Sequence, residues 1–428
     1  MTRQPLDRWI AGRLGVGPSE PLTRPALESW QDRRLAETVR RARRSRFYGP
    51  RLAHLTDDEV QTRQDLARLP LTGVDDLSAD PYAFLCLSQD RVERIVTQQS
   101  SGTTAPPKRM FSSREDLAIS LQFFQHGLAQ MTAPDERVLV LLPGTAPDGV
   151  ADLLRQAILA LGAHPILAGG LDVAQIATLL GDRPVDLVIG HPTQVLAVAR
   201  LTAPPASPCR PPGTVLLCAD RISPVVQKAI FAAWNCEIFA EWGMTELGYG
   251  GGVDCARHAG YHLQESDILV EIIDPRDASP CPPGTVGEIV VTTLTRTGMP
   301  LLRFRTGDHS RLIGVPCTCG SPLLRLDADI RRPAIHDGLA GIASVDDALF
   351  ALTDVLDVAA AGTPTGSLSI VVRRRPLSGL GERCVREALE RIPGIEAIRD
   401  TRPITVAIVD GPLPHPCGKR RIAPGAPP

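Results

Sequence analysis

The chain has 428 residues, 43% of them hydrophobic, which suits one large domain with a smaller one or two to three domains. A net charge of −2 and an aromatic content of 4% give no basic field or base-stacking platform for nucleic acid. The charged N-terminus lacks the apolar run of a signal peptide, and no run of about 18 apolar residues could span a membrane. Ten cysteines are too few for a disulfide scaffold, so we expect a reducing, cytoplasmic setting.

The first 99 residues are charged and helical in pattern. Apolar residues recur at helical spacing among arginines over 26–48, which predicts an amphipathic helix packed on a larger body.

A loop rich in hydroxyl groups follows, and it reads Ser100-Ser101-Gly102-Thr103-Thr104-Ala105-Pro106-Pro107-Lys108. Its hydroxyls, its backbone N–H groups and the lysine offer donors to anionic oxygens, which predicts a polyphosphate-binding loop. It is not a Walker P-loop, because no glycine precedes the lysine directly. A surface turn is the alternative. Only three of the 46 basic residues are lysines, and one lies here, which favours the phosphate hypothesis.

From residue 136 onwards, apolar strands alternate with helices, which predicts a parallel α/β sheet with ligands at the carboxyl ends of the strands. Ser223 is the expected N-cap of one of these helices. The predicted strands are 138–142, 165–167, 185–189, 215–218 and 237–240, and the predicted helices are 150–161, 173–180, 193–201 and 224–234.

The sequence Glu241-Trp242-Gly243-Met244-Thr245-Glu246 comes directly after the last of these strands. Glu246 could hold Mg²⁺, because this ion prefers one or two carboxylates together with phosphate oxygens. Thr245 could donate to a phosphate. The alternative is that these two residues only cap a helix.

The pattern changes to β after residue 262. Strands are predicted at 268–273 and 287–294, joined by a turn rich in proline and glycine. Residues 299–308 predict a strand that runs into a turn ending at Asp308. This carboxylate could accept from both hydroxyls of a ribose, or the turn is an ordinary Gly-Asp turn.

Two pairs of metal-binding residue types flank this β region. Cys255 and His262 are separated by six residues, and Cys317 and Cys319 form a tight pair further on. Two such pairs can build a closed tetrahedral Zn²⁺ site, although the spacing departs from Cys-x-x-Cys. His258 could replace His262 as a ligand. The alternative is four reduced residues packed near one another.

The last residues, 345–428, predict a small α+β unit with helices at 345–352 and 383–392 and strands at 367–372 and 404–409. Lys419 follows a glycine in a loop of this unit and could reach a reacting phosphate if the unit closes over the large domain. The tail from residue 422 is rich in Pro, Gly and Ala and is expected to be disordered.

Taken in order, these motifs resemble the adenylate-forming (AMP-dependent) ligase superfamily, and most closely its phenylacetate–CoA ligase-like branch. The resemblance rests on Ser100–Lys108, Glu241–Glu246, Arg305–Asp308 and Gly418–Lys419, and on the run from Tyr48 through 69–72. It covers nearly the whole chain. It implies a large N-terminal adenylate-forming α/β domain with parallel sheets and a β subdomain over 1–331. A small, mobile α+β C-terminal domain would follow over 332–428.

The resemblance also implies a two-step reaction. A carboxylic acid, aromatic or short acyl, attacks the α-phosphate of ATP to give an acyl-adenylate and pyrophosphate. A thiol, usually that of CoA, then attacks the acyl carbon and AMP leaves. Transfer to a carrier-protein thiol or another nucleophile is the first alternative, and a non-catalytic nucleotide-binding protein is the second. A homodimer would be in keeping with the branch.

By the same resemblance, Ser100, Ser101, Gly102, Thr103, Thr104 and Lys108 would cradle the β- and γ-phosphates. Thr245 would contact phosphate and Glu246 would hold Mg²⁺. Trp242 stands where the family has an aromatic residue stacked by adenine, with Gly243 beside it in the nucleotide site. Asp308 would bind the ribose, and Lys419 would bridge the carboxylate and the α-phosphate.

Two features depart from the family pattern. Ala105 stands where the loop has a glycine, and the hinge stretch near Arg331, which would also border the nucleotide, lacks its glycine. The acyl pocket would be lined near 188–191, 218–221 and 240–243. His191 and Arg221 could pair with a polar or second acidic group there, or serve structure only.

Overall fold

The computed structural model describes residues 4–56, 58–98, 108–203, 209–332, 342–362, 368–393, 395, 403–411, 413 and 422–424. Ser100, Ser101, Gly102, Thr103, Thr104 and Lys419 lie outside the described residues, so their predicted roles stay predictions.

The helices of the described part are α1 (Pro5–Leu14), α2 (Arg24–Ala42), α3 (Tyr48–Arg51), α4 (Val74–Ala79), α5 (Arg114–Leu128), α6 (Val150–Ala160), α7 (Val173–Asp182), α8 (Pro192–Thr202), α9 (Pro224–Trp234), α10 (Ile342–Phe350) and α11 (Glu382–Glu390).

The strands are β1 (Arg94–Gln98), β2 (Lys108–Ser112), β3 (Arg137–Val140), β4 (His164–Leu167), β5 (Leu187–Gly190), β6 (Thr214–Leu217), β7 (Glu237–Trp242), β8 (Gly252–Val253), β9 (Tyr261–Leu263), β10 (Ile268–Ile273), β11 (Gly287–Thr293), β12 (Phe304–Ser310), β13 (Arg325–Leu326), β14 (Val355–Gly362), β15 (Leu368–Arg374), β16 (Ile404–Val409) and β17 (Ile422–Pro424).

Helix ends follow local capping chemistry. The Ser223 hydroxyl accepts from the N–H of Val225 at 3.1 Å, which confirms the predicted N-cap of α9. The helix predicted over 26–48 instead ends at Ala42, and a separate short helix, α3, begins at Tyr48, whose N–H donates to the Ser45 hydroxyl in the intervening turn.

The residues fall into two compact units. The first comprises Met1–Ala133, Ala146–Gly162 and Glu241–Arg332, and the second comprises Pro134–Thr145, Ala163–Ala240 and Pro333–Pro428. The first unit ends at Arg332, next to the predicted domain boundary between residues 331 and 332. That residues 332–428 move as one domain stays a prediction.

The first unit is built on antiparallel strands. β1 pairs with β2, and β10, β11 and β12 form a sheet in that order. The last residues of β7 continue into the antiparallel series β8, β9 and β13. The N-terminal helices are tied to the segment before β10, where the indole N–H of Trp30 donates to the carbonyl of Ser266 at 2.9 Å.

The second unit contains the predicted parallel sheet, in the order β4-β3-β5-β6-β7. Its central strands β3, β5 and β6 are largely buried on both faces, which is why they read as continuous apolar runs rather than alternating ones. The prediction of an α/β fold with parallel strands and a β subdomain is confirmed.

The described C-terminal elements belong to this second unit. Strands β14, β15 and β16 pair with one another, and β17 pairs parallel to β14, so the expectation of disorder from residue 422 is wrong for Ile422–Pro424. Backbone pairing can order a short Pro/Ala segment that has no periodicity of its own. Arg200 of α8 is 8% exposed and donates to the carbonyls of Phe350 and Val355, which anchors the α10–β14 turn.

Among the described residues, no helix combines the length and apolar character needed to cross a lipid bilayer.

Candidate active site

The segment after β7 is a tight, glycine-dependent turn. Strand β7 ends at Trp242, and Thr245–Leu247 form one turn of 3-10 helix. A Cβ atom on residue 243 would lie 1.7 Å from the carbonyl oxygen of Tyr249, so only glycine fits there. Gly248 has a φ of +74°, which reverses the chain after the 3-10 turn. The turn leaves Thr245 half-buried and Glu246 buried.

Lys108 and Glu246 form an ion pair, although they are 138 residues apart in the chain. The Lys108 Nζ donates to Glu246 Oε1, and the two side chains are 15% and 3% exposed. Lys108 is the first residue of β2, the strand that follows the hydroxyl-rich loop. The pair therefore joins two of the predicted phosphate-binding segments.

Arg296 fixes the turn that carries Glu246. Its guanidinium is buried and donates to the carbonyls of Asp116 and Leu247 at 3.0 and 2.5 Å, and to the Ser120 hydroxyl at 3.2 Å. These bonds join the residue after Glu246 to α5. A guanidinium is always charged and offers five donors, so it can satisfy several carbonyls at once.

Asp308 was predicted in a turn after a strand, and this is wrong, because β12 runs from Phe304 to Ser310 and includes it. Gly307, at φ +74°, lies where the pairing of β12 with β11 is irregular, so glycine here bends a strand instead of ending it. The Asp308 carboxylate accepts from Arg332 Nε at 2.9 Å and Nη2 at 2.7 Å.

Arg331 lies beside β12. Its backbone forms two hydrogen bonds with His309, at 2.7 and 3.0 Å. Its exposed side chain pairs with Asp329 at 2.6 Å. The predicted hinge residue Arg331 thus lies beside the strand that carries Asp308. The Asp308 carboxylate, which was expected to bind the ribose, is paired with Arg332.

Trp242 is buried, and a Cβ atom on Gly251 would lie 2.7 Å from its ring. Its indole N–H has no partner among the described residues. That adenine stacks on the Trp242 ring therefore stays a proposal.

Tyr48 and Thr72 bind the start of β12. The Tyr48 hydroxyl is 2.8 Å from the Thr72 hydroxyl and accepts from the N–H of Leu302 at 2.9 Å. Thr72 in turn exchanges backbone hydrogen bonds with Arg303 and Arg305. Burial raises the pKa of Tyr48 above its ordinary value, so its hydroxyl stays protonated.

The four predicted metal ligands come together. The ligand atoms of Cys255, His262, Cys317 and Cys319 all lie within 4.8 Å of one another. Cys255 Sγ is 3.9 Å from Cys317 Sγ, and Cys319 Sγ is 3.5 Å from His262 Nε2. Burial, with a contribution from Arg325, lowers the pKa of His262 to about 4, so its imidazole is neutral at pH 7, as a metal ligand must be.

His258, the alternative ligand, is engaged elsewhere. Its Nδ1 lies 2.8 Å from Asp254 Oδ2, and it is not one of the four clustered residues. Arg221, a candidate for the acyl pocket, donates from both terminal nitrogens to Asp347 at 2.9 Å, a contact within the second unit. His191 is buried at the start of α8.

No motif in the sequence marks Arg296, and nothing in the hinge stretch sets Arg332 apart from its neighbours. Each acts on partners 24 to 180 residues away, so no local spacing marks it. Because nearly all basic residues of the chain are arginines, these two do not stand out by residue type either.

The chain is similar to known enzymes over this region. The family model described as AMP-binding enzyme matches residues 88–295. The phenylacetate–coenzyme A ligase of Thermus thermophilus is 28% identical over 330 residues, covering 73% of this chain and 72% of that protein. The Escherichia coli enzyme of the same name is 26% identical over 313 residues, covering 70% of each.

A solved structure of 2-hydroxyisobutyryl-CoA ligase, described as being in the postadenylation state, superposes with a TM-score of 0.75. It is 16% identical, covering 94% of this chain and 90% of that one, so it bears on the fold alone. These sequence matches confirm the predicted resemblance to the AMP-dependent (adenylate-forming) ligase superfamily and its phenylacetate–CoA ligase-like branch.

Proposed function

We propose that the protein activates a carboxylic acid with ATP and transfers the acyl group to CoA. An acid oxygen attacks the α-phosphorus, the bond to the β-phosphate breaks, and pyrophosphate leaves. The CoA sulfur then attacks the acyl carbon, the carbon–oxygen bond to AMP breaks, and the thiol proton passes to solvent. The observation that carries the proposal is the Lys108–Glu246 pair, which joins two motifs of the family in one site.

The chemistry needs positioning and charge neutralisation more than covalent help from the protein. Ser100 to Thr104 and Lys108 hold the β- and γ-phosphates, and Lys419 bridges the carboxylate and the α-phosphate. Thr245 contacts phosphate, while Trp242, Gly243, Asp308 and Arg331 line the adenosine site. Mg²⁺ fits Glu246, whose buried carboxylate is paired with the Lys108 ammonium, and the ion would neutralise the phosphate oxygens.

Occupation of the site requires two exchanges of partner. With ATP bound, Lys108 would pair with a phosphate oxygen, and Glu246 would be the residue that holds Mg²⁺. The Asp308 carboxylate likewise releases Arg332 and accepts hydrogen bonds from the ribose hydroxyls, or it accepts from Arg332 and the ribose together. In the described part of the first unit, each of these carboxylates is thus paired with one cation, Glu246 with Lys108 and Asp308 with Arg332.

CoA is favoured as the acceptor because the relatives carry the name of phenylacetate–coenzyme A ligases. A carrier-protein thiol is the second candidate for the acceptor. Either thiol is used in the second step, which needs rotation of the C-terminal domain near Arg331 and is therefore the step that the altered hinge bears on. The cytoplasmic location and the homodimer expected from the sequence stay proposals.

The test is to incubate the protein with Mg²⁺-ATP and a panel of aryl and short acyl acids, with and without CoA. We expect acid-dependent pyrophosphate release, and repeated AMP release only when CoA is present. Pyrophosphate without CoA-dependent turnover would redirect the proposal to another acceptor. No nucleotide turnover and no ATP binding would contradict it.

We also propose that Cys255, His262, Cys317 and Cys319 hold one structural Zn²⁺. Four protein ligands close the site to substrate, which is typical of structural zinc. The residues come from the segment after β8, from β9 and from the loop before β13, so the ion would fasten the strands that continue β7 and its turn.

Elemental analysis should find about one zinc per chain in the wild type and none in Cys317→Ser. Loss of the ion is expected to lower the unfolding temperature by roughly 5 °C or more, because metal binding contributes to folding free energy. Cys236→Ser, at a buried cysteine outside the cluster, is the matched control and should keep the zinc. A wild-type protein without zinc after expression in zinc-supplemented medium would remove the site.

A further inference from the structure

Four of the five residues from 248 to 252 are glycines, and the fifth is Tyr249. Tyr249 has a φ of +77°, in the left-handed region that glycine adopts freely and tyrosine adopts only at a cost in free energy. Glycine would be the relaxed choice at this position, and the chain already uses it on both sides. A strained side chain among glycines points to a task for that side chain.

The backbone of Tyr249 is fixed in the turn that carries Glu246. The Tyr249 N–H donates to the carbonyl of Met244 at 2.9 Å, and the Tyr249 carbonyl closes over Gly243. The half-buried ring stacks on Phe124 of α5, with the ring centroids 6.5 Å apart. The turn and α5 together therefore define where the Tyr249 hydroxyl lies.

Arg94 of β1 approaches this hydroxyl from another segment of the site. Burial raises the pKa of Tyr249, whereas the charge of Arg94 and its hydrogen bond to the hydroxyl lower that pKa, as does the charge of Arg296. Arg94 also donates from Nη1 to the carbonyl of Pro147, in the segment before α6. Arg94 is thus held from two sides, and it joins β1 to the turn.

The hairpin of β1 and β2 therefore meets the turn at two points. Arg94 lies opposite Ser112, which is four residues after Lys108, so Arg94 and Lys108 share one face of the hairpin. The Lys108–Glu246 pair is the first contact and lies next to the hydroxyl-rich loop. The Arg94–Tyr249 pair is the second, roughly 13 Å further along the strands, because four residues of a strand span this length.

The two contacts differ in what the proposed function requires of them. With ATP bound, Lys108 would pair with a phosphate oxygen, so its pair with Glu246 would no longer join the hairpin to the turn. The Arg94–Tyr249 contact involves no group that takes part in nucleotide binding, so it would stay. Adenylyl transfer depends on such positioning, since a displacement of about 1 Å can cost about 100-fold in rate.

We infer that Arg94 and Tyr249 are positioning residues, which hold the phosphate-binding hairpin in register with Glu246 while ATP and Mg²⁺ are bound. The inference rests on the proposed function and adds two residues to its site. Because these residues act through Lys108 and Glu246, their loss should slow the chemical step and leave binding of the acid unchanged.

The experiment measures pyrophosphate release in Tyr249→Phe, which keeps the ring and removes the hydroxyl, in Arg94→Ala and in the double variant. Each single variant is expected to lower kcat about 10-fold or more, with the KM for the acid unchanged. The double variant should be no slower than the slower single variant, because both changes remove the same contact.

Tyr82→Phe is the matched control. The Tyr82 hydroxyl accepts a hydrogen bond from Arg109 of the same hairpin at 3.0 Å, and this contact joins β2 to the segment 81–84 instead of the turn. Tyr82→Phe should leave kcat unchanged.

The unfolding temperature separates positioning from a merely structural role. Tyr249→Phe should unfold within about 3 °C of the wild type, because it removes one hydrogen bond from a large protein. This variant alone decides the test if Arg94→Ala does not fold. A fall in kcat that follows the unfolding temperature from variant to variant, or losses that simply add in the double variant, would overturn the inference.

Calorimetry of ATP with and without Mg²⁺ separates this inference from the proposed function. In the wild type, Mg²⁺ is expected to tighten ATP binding, because the loop and Glu246 then engage the nucleotide together. Tyr249→Phe should reduce this gain in affinity about 5-fold or more.

A gain in affinity that Tyr249→Phe removes, without pyrophosphate release by the wild type, would support the inference and contradict the ligase. Pyrophosphate release at the same kcat in the wild type and Tyr249→Phe, with the same gain from Mg²⁺, would overturn the inference and leave the ligase. A wild type that neither binds ATP nor releases pyrophosphate would overturn both.

Discussion

The Lys419→Ala variant is expected to release pyrophosphate about 100–1000-fold more slowly than the wild type, a loss of roughly 3–4 kcal/mol of transition-state stabilisation. The reason is that Lys419 would bridge two groups that repel each other, the acid carboxylate and the α-phosphate. Its charge matters most when the attacking oxygen approaches phosphorus. Binding of ATP, which has the loop before β2 and Lys108 as further partners, should persist.

Acid-dependent pyrophosphate release and ATP binding by calorimetry are the two measurements for this variant. Lys228→Ala is the matched control, because Lys228 is the one lysine of the sequence outside the predicted nucleotide site and lies exposed on α9. Unchanged pyrophosphate release in Lys419→Ala would exclude the bridging role. Loss of ATP binding together with activity would instead give Lys419 a role in holding the nucleotide.

The parallel sheet was predictable because its information is local. Helix α9 lies over 224–234 as predicted, since Ser223, Pro224 and the apolar spacing mark its start and its buried face. Strands β5 and β6 lie within a residue or two of their predicted positions, because strands buried on both faces are plain apolar runs.

The short strands could not be predicted in this way. β8, β9 and β13 have two or three residues each, too few for a period, and they are defined by their pairing. β17 likewise exists through its pairing with β14, more than 60 residues earlier in the sequence. In each case the deciding hydrogen bonds are long-range.

In the candidate site, too, some features were predictable from local sequence, and others depend on long-range contacts. Residue types and their order indicated Glu246, Asp308 and the metal cluster, because each chemistry needs particular side chains. What holds those side chains was not visible: Arg296 against α5, and Arg332 on Asp308. Convergence of Cys255 with Cys317 across 62 positions was predicted from ligand chemistry, and the fold supplies the distance.

The Glu246→Gln variant is expected to lose about 100-fold or more in pyrophosphate release, because the amide keeps the shape of the side chain and removes the charge that would hold Mg²⁺. The Mg²⁺ concentration that gives half-maximal activity should rise as well. Lys108 also loses its carboxylate, and because it is largely buried, some loss of stability is expected.

A magnesium titration of activity and a thermal unfolding curve separate these two effects. Glu271→Gln is the matched control, because Glu271 is paired with Arg303 at 3.0 Å in the same unit, outside the predicted phosphate-binding segments. It should lower stability without moving the magnesium requirement. If Glu246→Gln behaves like Glu271→Gln, less stable but with an unchanged magnesium midpoint and near-normal turnover, then Glu246 serves Lys108 alone. Because Lys108 and Glu246 form an ion pair, a raised magnesium midpoint is the result that separates a metal ligand from a structural partner.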